Sequence, residues 1–252
     1  MKFVRFSIEA KEKLGIIEND IIKEIKGDFF NEYSITDKEY KNEDVKILPP
    51  CIPTKIVAIG LIYKDHIEEL GFPFPDEPII FFKPTTGIIG HEDAIIYPSM
   101  TSRVDYEAEL AIVIKDKIKD IDENDASKHV LGYTCFNDVT ARDLQKKDIQ
   151  WTRAKAFDTF SPVGPYIVDD IDPNNVLVES YLNGELKQSS NTKNFIFKVE
   201  KLISFISKVM TLLPGDIIAT GTPYGVGPMN SGDVIEIKIE GIGTLKNHVK
   251  KA

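Results

Sequence analysis

Between Val104 and Ile114 the chain is apolar apart from three carboxylates, Asp105, Glu107 and Glu109. Side chains alternate faces along a strand, so these three share a face that continues through Ala111 and Val113. The other face carries Val104, Tyr106, Ala108, Leu110, Ile112 and Ile114. Both faces are apolar toward the C-terminal end, the pattern of a strand covered on both sides. Carboxylates crowded into a low-dielectric setting repel, and must take up protons or share a cation. A divalent metal answers that demand. Taken alone, the segment admits equally an edge strand that turns Glu107 and Glu109 to water.

The remaining pattern is that of a mostly β (α+β) protein. Short apolar runs punctuated by turn residues give strands at Lys2–Phe6, Lys13–Ile17 and Ile21–Ile25, with Glu18-Asn19-Asp20 as a hairpin turn. Leu48-Pro49-Pro50-Cys51-Ile52-Pro53 is a stiff connector. It divides a small N-terminal β module, residues 1–48, from a main domain over 49–252. Further strands are expected at Lys55–Ile62, Ile79–Phe82, Ala94–Tyr97, Tyr106–Ile114, Val130–Phe136, Val163–Val168, Val176–Leu182, Asp216–Thr220, Val234–Glu240 and Thr244–Val249, and Asn183-Gly184 marks a hairpin. Helices are expected at Tyr63–Leu70, after Thr140, and at Phe197–Leu212. Asp65 with Glu68, and Thr140 with Asp143, have capping-box spacing. Strands and helices do not alternate as a doubly wound fold requires.

Charge narrows the function. Forty acidic against 31 basic residues give a net charge of −9, a poor match for nucleic acid or an anionic membrane. No apolar run approaches the ~18 residues of a membrane span. The N-terminus lacks the apolar core of a signal peptide, and Cys51 and Cys135 allow one disulfide at most. A cytoplasmic setting is expected.

Asp138 follows a strand at a strand-to-helix junction, where it is either a turn residue or a third oxygen ligand beside Glu107 and Glu109. Three carboxylates without cysteine or a histidine pair make a hard site suited to Mg²⁺ or Mn²⁺, with Ca²⁺ also admitted. His66 and Glu69 share a helix face, which suits a general base, although a lone pair of this kind is more often an ordinary surface histidine. Lys155 stands among apolar neighbours, either to meet an oxyanion or simply with its stem packed. The loop Thr220-Gly221-Thr222-Pro223-Tyr224-Gly225-Val226-Gly227 is no phosphate cradle, because a strand follows it. Its amides and hydroxyls are expected to wall a ligand site.

In order, Tyr63-Lys64-Asp65-His66, Phe82-Lys83-Pro84, Asp105 to Leu110, Gly132-Tyr133 through Asn137 to Gln145, Lys155 to Phe160, and Pro214-Gly215-Asp216 through Gly221-Thr222-Pro223 to Gly227 resemble the fumarylacetoacetate hydrolase superfamily. The resemblance spans about residues 50 to 250. It implies a mixed β-strand roll, usually homodimeric, behind a small variable N-terminal module. It also implies Glu107, Glu109 and Asp138 as Mg²⁺ or Mn²⁺ ligands, His66 with Glu69 as a water-activating lid dyad, and Lys155 as a stabiliser of oxyanion or enolate. Arg142, Gln145 and Thr222 would contact substrate oxygens. Leu61-Ile62 stand where members commonly carry Arg-Asn, a departure that bears on substrate recognition and lid placement. The expected activity is metal-dependent hydrolysis of a carbon–carbon bond in a small 2-oxo acid of acylpyruvate type. Decarboxylation, isomerisation of a hydroxymuconate-type enol, or a silent metal-binding scaffold are the alternatives.

Overall fold

The structure, a computed structural model, describes residues 1–71 and 73–252. Its largest sheet has twelve strands. The main path runs Tyr33–Lys41, Ile21–Gly27, Lys11–Glu18, Lys2–Ile8, Ser161–Val168, Val130–Asn137, Ala108–Ile114, Ile217–Ala219, Ile56–Gly60 and Ile79–Lys83. A second sheet of five strands, Glu185–Asn191, Leu177–Leu182, Val234–Ile239, Gly243–Lys251 and Ala94–Tyr97, packs on it with the helix Val199–Val209. Thr140–Ala141, Val104–Tyr106 and Gly227–Met229 form a small third sheet. The mostly β mixed roll expected from the sequence is the fold.

The N-terminal strands join the main sheet where Lys2 and Phe3 pair with Val168 and Ile167. They also keep a small core of their own, Val4, Phe6, Ile17, Ile22 and Ile47. Two hairpins form where the sequence signals them. Asn19 and Asp20 both take positive φ, as do Asn183 and Gly184, and each pair bridges adjacent antiparallel strands.

The run Val104–Ile114 departs from expectation. It is not one strand but two in different sheets, Val104–Tyr106 and Ala108–Ile114, with Glu107 at the crossing. In the second piece Leu110, Ile112 and Ile114 enter the main core, while Ala111 and Val113 enter the core on the other side. The strand is therefore covered on both faces, and Glu109 shares the side of Ala111 and Val113.

Neither capping box forms. The helix Lys64–Leu70 has Tyr63 as N-cap without a side-chain bond, because Asp65 turns to the hydroxyl of Ser190 at 2.6 Å. Gly71, at φ 68, closes that helix; Phe72, in the loop expected after it, lies outside the described residues. The helix Arg142–Lys147 is preceded by Ala141, while Thr140 lies in a strand and Asp143 accepts from Thr101 and Ser102. The helix expected over Phe197–Leu212 is shorter, Val199–Val209, and its last residue, Val209, is exposed.

Candidate active site

A cavity of about 640 Å³ gathers most of the residues singled out in the sequence. Its buried end is built where the sheets meet. The backbone N–H of Asp138 donates to the carbonyl of Glu107 at 2.9 Å, and the N–H of Glu107 to the side chain of Asn137 at 2.9 Å. Chain crossing and strand end are thereby locked together. Glu109 follows two residues later on the same side, and one oxygen from each of Glu107, Glu109 and Asp138 lies within 4.8 Å of the others. All three carboxylates are buried.

Cations from distant segments offset part of this charge. Lys155 Nζ donates to Glu107 at 2.9 Å and to Asp138 at 2.6 Å. Lys83, also buried, donates to Asp138, and Arg142 to Glu107 at 2.5 Å. Burial alone would raise the Glu107 carboxyl, but Lys155 and Arg142 outweigh it and bring it down to about 2. Burial acts the other way on the lysine: it lowers Lys155, yet Asp138 and Glu107 leave its ammonium above the usual lysine range. Burial pulls Lys83 below it.

Glu109 is the unbalanced member. Burial, then the nearby charges of Asp138 and Glu107, push its carboxyl well above the ordinary range. Among the described residues its hydrogen-bond partner is the amide of Gly221, at 2.8 Å. Gly221 sits at φ 92, and a Cβ there would lie 2.7 Å from Ile62 and 2.9 Å from the carbonyl of Ile59. Only glycine brings that amide so close. Three buried carboxylates within reach of one another, one of them pushed toward its neutral form by the others, fit a divalent cation, and an all-oxygen donor set suits Mg²⁺ or Mn²⁺.

The other predicted residues surround this end. Arg142 Nη1 donates to Gln145 at 2.5 Å, and Thr222 accepts from the buried amide of Gln188 at 2.9 Å. His66 lines the cavity with its Nδ1 3.0 Å from Glu69, whose side chain is 45 % exposed and stands behind the ring. All the predicted site residues except Glu69 line the one cavity.

A model of the fumarylacetoacetate hydrolase C-terminal domain matches residues 55–250, and an Rv2993c-like N-terminal model matches residues 1–50. The chain belongs to the fumarylacetoacetate hydrolase family. An uncharacterized protein of Archaeoglobus fulgidus is 58 % identical over 207 residues, 82 % of this chain and 83 % of that protein. The mitochondrial oxaloacetate tautomerase fahd2 of Xenopus laevis is 45 % identical over 219 residues, 82 % of this chain and 69 % of its own length. The crystal structure of 2-hydroxyhepta-2,4-diene-1,7-dioate isomerase from Mycobacterium marinum superposes with a TM-score of 0.93 at 42 % identity, covering 100 % of this chain and 98 % of that one. Enzymes of this family act on small molecules. No helix among the described residues is long and apolar enough to cross a membrane.

Several residues of this family site were given no role by the sequence. Lys83 belongs to the Phe82-Lys83-Pro84 motif and ends an apolar strand like many surface lysines, yet it is 1 % exposed beneath Asp138. Gln188 receives no hint from its neighbours, but its amide ties the strand at Ala108 to Thr222. Trp151, the chain's one tryptophan, lies against Gly60 and Phe81 on the apolar wall. Asp105, expected beside Glu107 and Glu109, is instead held by Arg103 and Arg142.

Proposed function

We propose that this chain is a divalent-metal-dependent enzyme that moves a proton at C3 of a small 2-oxo acid, interconverting its keto and enol forms. The carrying observation is the pairing of His66 with Glu69 at 3.0 Å on the wall of the cavity that buries the three carboxylates. Glu107, Glu109 and Asp138 would hold the cation, which when bound supplies a Lewis acid that favours the enolate. With the Glu69 carboxylate accepting from Nδ1–H, His66 keeps a lone pair on Nε2. That atom takes the C3 proton, the C–H electrons become the C2–C3 double bond, and the carbonyl oxygen gains the charge. Return of the proton to oxygen completes the enol; the reverse path restores the ketone. Arg142, Gln145 and Thr222 bind the substrate's oxygens, and Lys155, donating to both Glu107 and Asp138, bridges the two carboxylates and keeps them oriented. The tautomerase and isomerase among the relatives support the reading, since both names describe proton movement without net addition of water.

Hydrolysis of an acylpyruvate is the second reading. A cavity of about 640 Å³ leaves room for waters of ~30 Å³ beside a small acid, and the same dyad could deprotonate one. Decarboxylation of oxaloacetate needs no such base. The homodimer and the cytoplasmic setting expected from the sequence belong to this reading too, the first being open to sedimentation.

The test follows the enol absorbance of oxaloacetate, with an acylpyruvate and pyruvate release in parallel, with Mg²⁺ and after chelation. Accelerated enol decay that needs Mg²⁺ and falls on the order of 10²–10⁴-fold in His66→Ala supports proton transfer. Acylpyruvate cleavage without tautomerisation would transfer the function to hydrolysis. Unchanged enol decay in His66→Ala would remove the dyad from the chemistry.

A further inference from the structure

Asp105 has a task different from that of Glu107 and Glu109. It is fully buried, and its carboxylate accepts from Arg103 on both oxygens, Nε at 2.8 Å and Nη2 at 3.1 Å. The second of these oxygens also accepts from Arg142 Nε at 2.8 Å, and Arg142 goes on to Glu107. An alternating series results: Arg103, Asp105, Arg142, Glu107, Lys155. It runs along one cavity, from a guanidinium 46 % exposed to an ammonium 2 % exposed.

The two arginines are not equivalent. Arg142 has a protein acceptor for each nitrogen: Asp105, Gln145 and Glu107. Arg103 is gripped along its Nε–Nη2 edge, and Nη1 has no acceptor among the described residues. A guanidinium fixed on one edge presents the other in a set orientation, so little freedom is left to lose on meeting a carboxylate. Lys146 lines the same cavity, is exposed, and has no ion pair among the described residues. The same cavity is also lined by apolar side chains, Leu61, Ile79, Phe81 and Trp151 among them.

We propose that Arg103, positioned by Asp105 and aided by Lys146, is the specificity-determining residue for the end of the substrate remote from its 2-oxo acid group, and that this end carries a second carboxylate. The inference rests on the 2-oxo acid reading above, but it concerns binding and not the chemical step. An acid end at the buried carboxylates, a hydrocarbon chain on the apolar wall and an anion at Arg103 account for a floor, a wall and a rim of such different character. A lysine alone at the rim would be a mobile, solvated charge; the Asp105 clamp is what makes the rim selective.

Trp151 lets binding be read by its fluorescence without turnover. Mg²⁺-loaded protein is titrated with matched pairs: oxaloacetate against 2-oxobutanoate, and 2-oxoadipate against 2-oxohexanoate. The expected result is that the dianion of at least one pair binds tenfold or more tightly than its monoanion. Arg103→Gln should weaken that dianion at least tenfold and the monoanion less than threefold, with Arg103→Lys falling between. Asp105→Asn should reproduce the Arg103→Gln pattern in part, while the circular dichroism spectrum reports whether the fold survives. Equal affinity for both members of each pair, absence of binding included, overturns the proposal. So does an Arg103→Gln protein that weakens both members alike. Failure of the proton-transfer reading would appear separately, as selective binding without enol decay.

Discussion

Glu107, Glu109 and Asp138 are held by the whole fold, whereas His66 and Glu69 are held by one short helix. At the buried end, partners for three carboxylates come from Lys83, Arg142, Lys155 and Gly221, spread over nearly 140 positions of sequence and carried by a strand, two short helices and a loop. The helix Lys64–Leu70 has seven residues, too few to persist alone in water. Among its described side chains only Ile67 is buried. It is tied down mainly at its N-terminal end, by Asp65 to Ser190, by the Tyr63 ring against Phe195 at 4.7 Å, and by the Ile196 amide to Ile62. Rigid ligands and a loosely fixed base are what a site needs if the base is to swing over a bound acid and exclude water.

The largest expected effect sharpens this contrast within the buried end itself. Asp138→Asn leaves Lys83 and Lys155 facing an uncharged amide. The metal-free protein should lose about 3–5 kcal/mol of stability, the scale for breaking a buried ion pair by removing one partner. Glu109→Gln replaces a carboxyl that burial and its neighbours already hold toward the neutral form, so metal-free stability should change by less than about 1 kcal/mol. Urea denaturation in chelator measures both. Equal losses would mean that Glu109 is a paired structural charge, and the distinction between the two carboxylates would fall.

A smaller effect is expected at the helix. Asp65→Ala removes its tie to Ser190 and should cost about 1 kcal/mol. The loss should be confined to faster amide exchange over residues 64–70, with exchange in Ala108–Ile114 unaltered. Faster exchange in both regions would show that helix and floor unfold together and would break the comparison.

The smallest effect concerns acid. Desolvation would raise the Asp143 carboxyl, but hydrogen bonds from Thr101, from Ser102 and from the Leu144 amide hold it down at about 2. An aspartate free in the unfolded chain titrates near ~3.9. The folded value is the lower one, so its stabilisation is complete above about pH 4 and fades as pH falls toward 2. Asp143→Asn should therefore narrow the stability gap to wild type only below about pH 4. A gap that stayed constant down to pH 2 would show that Asp143 acts through packing alone.

How much of this was legible in the sequence follows the same division. The carboxylates, His66, Lys155, Arg142, Gln145 and Thr222 were visible because their motifs are local and ordered along the chain. The hairpins at Asn19-Asp20 and Asn183-Gly184 were visible because those residues accept positive φ cheaply. The turn at Glu9-Ala10 was not, since neither residue favours the φ of 50 and 60 that the fold imposes. The break at Glu107 was hidden because both flanking strands are buried and carry the same alternation; only pairing to different sheets separates them. The roles of Lys83 and Asp105 were hidden for a related reason, because a buried charge is defined by a partner that sequence spacing does not reveal.

Direct titration of Mn²⁺ into the wild-type protein and Glu109→Gln, followed by the electron paramagnetic resonance signal of the free ion, tests the central claim. The structure predicts one ion bound per chain in wild type, displaced by Mg²⁺, with affinity reduced at least a hundredfold in Glu109→Gln while the variant remains folded. Absence of Mn²⁺ binding to the wild type, or binding of equal strength in the variant, would contradict the assignment of the buried carboxylates as a metal centre.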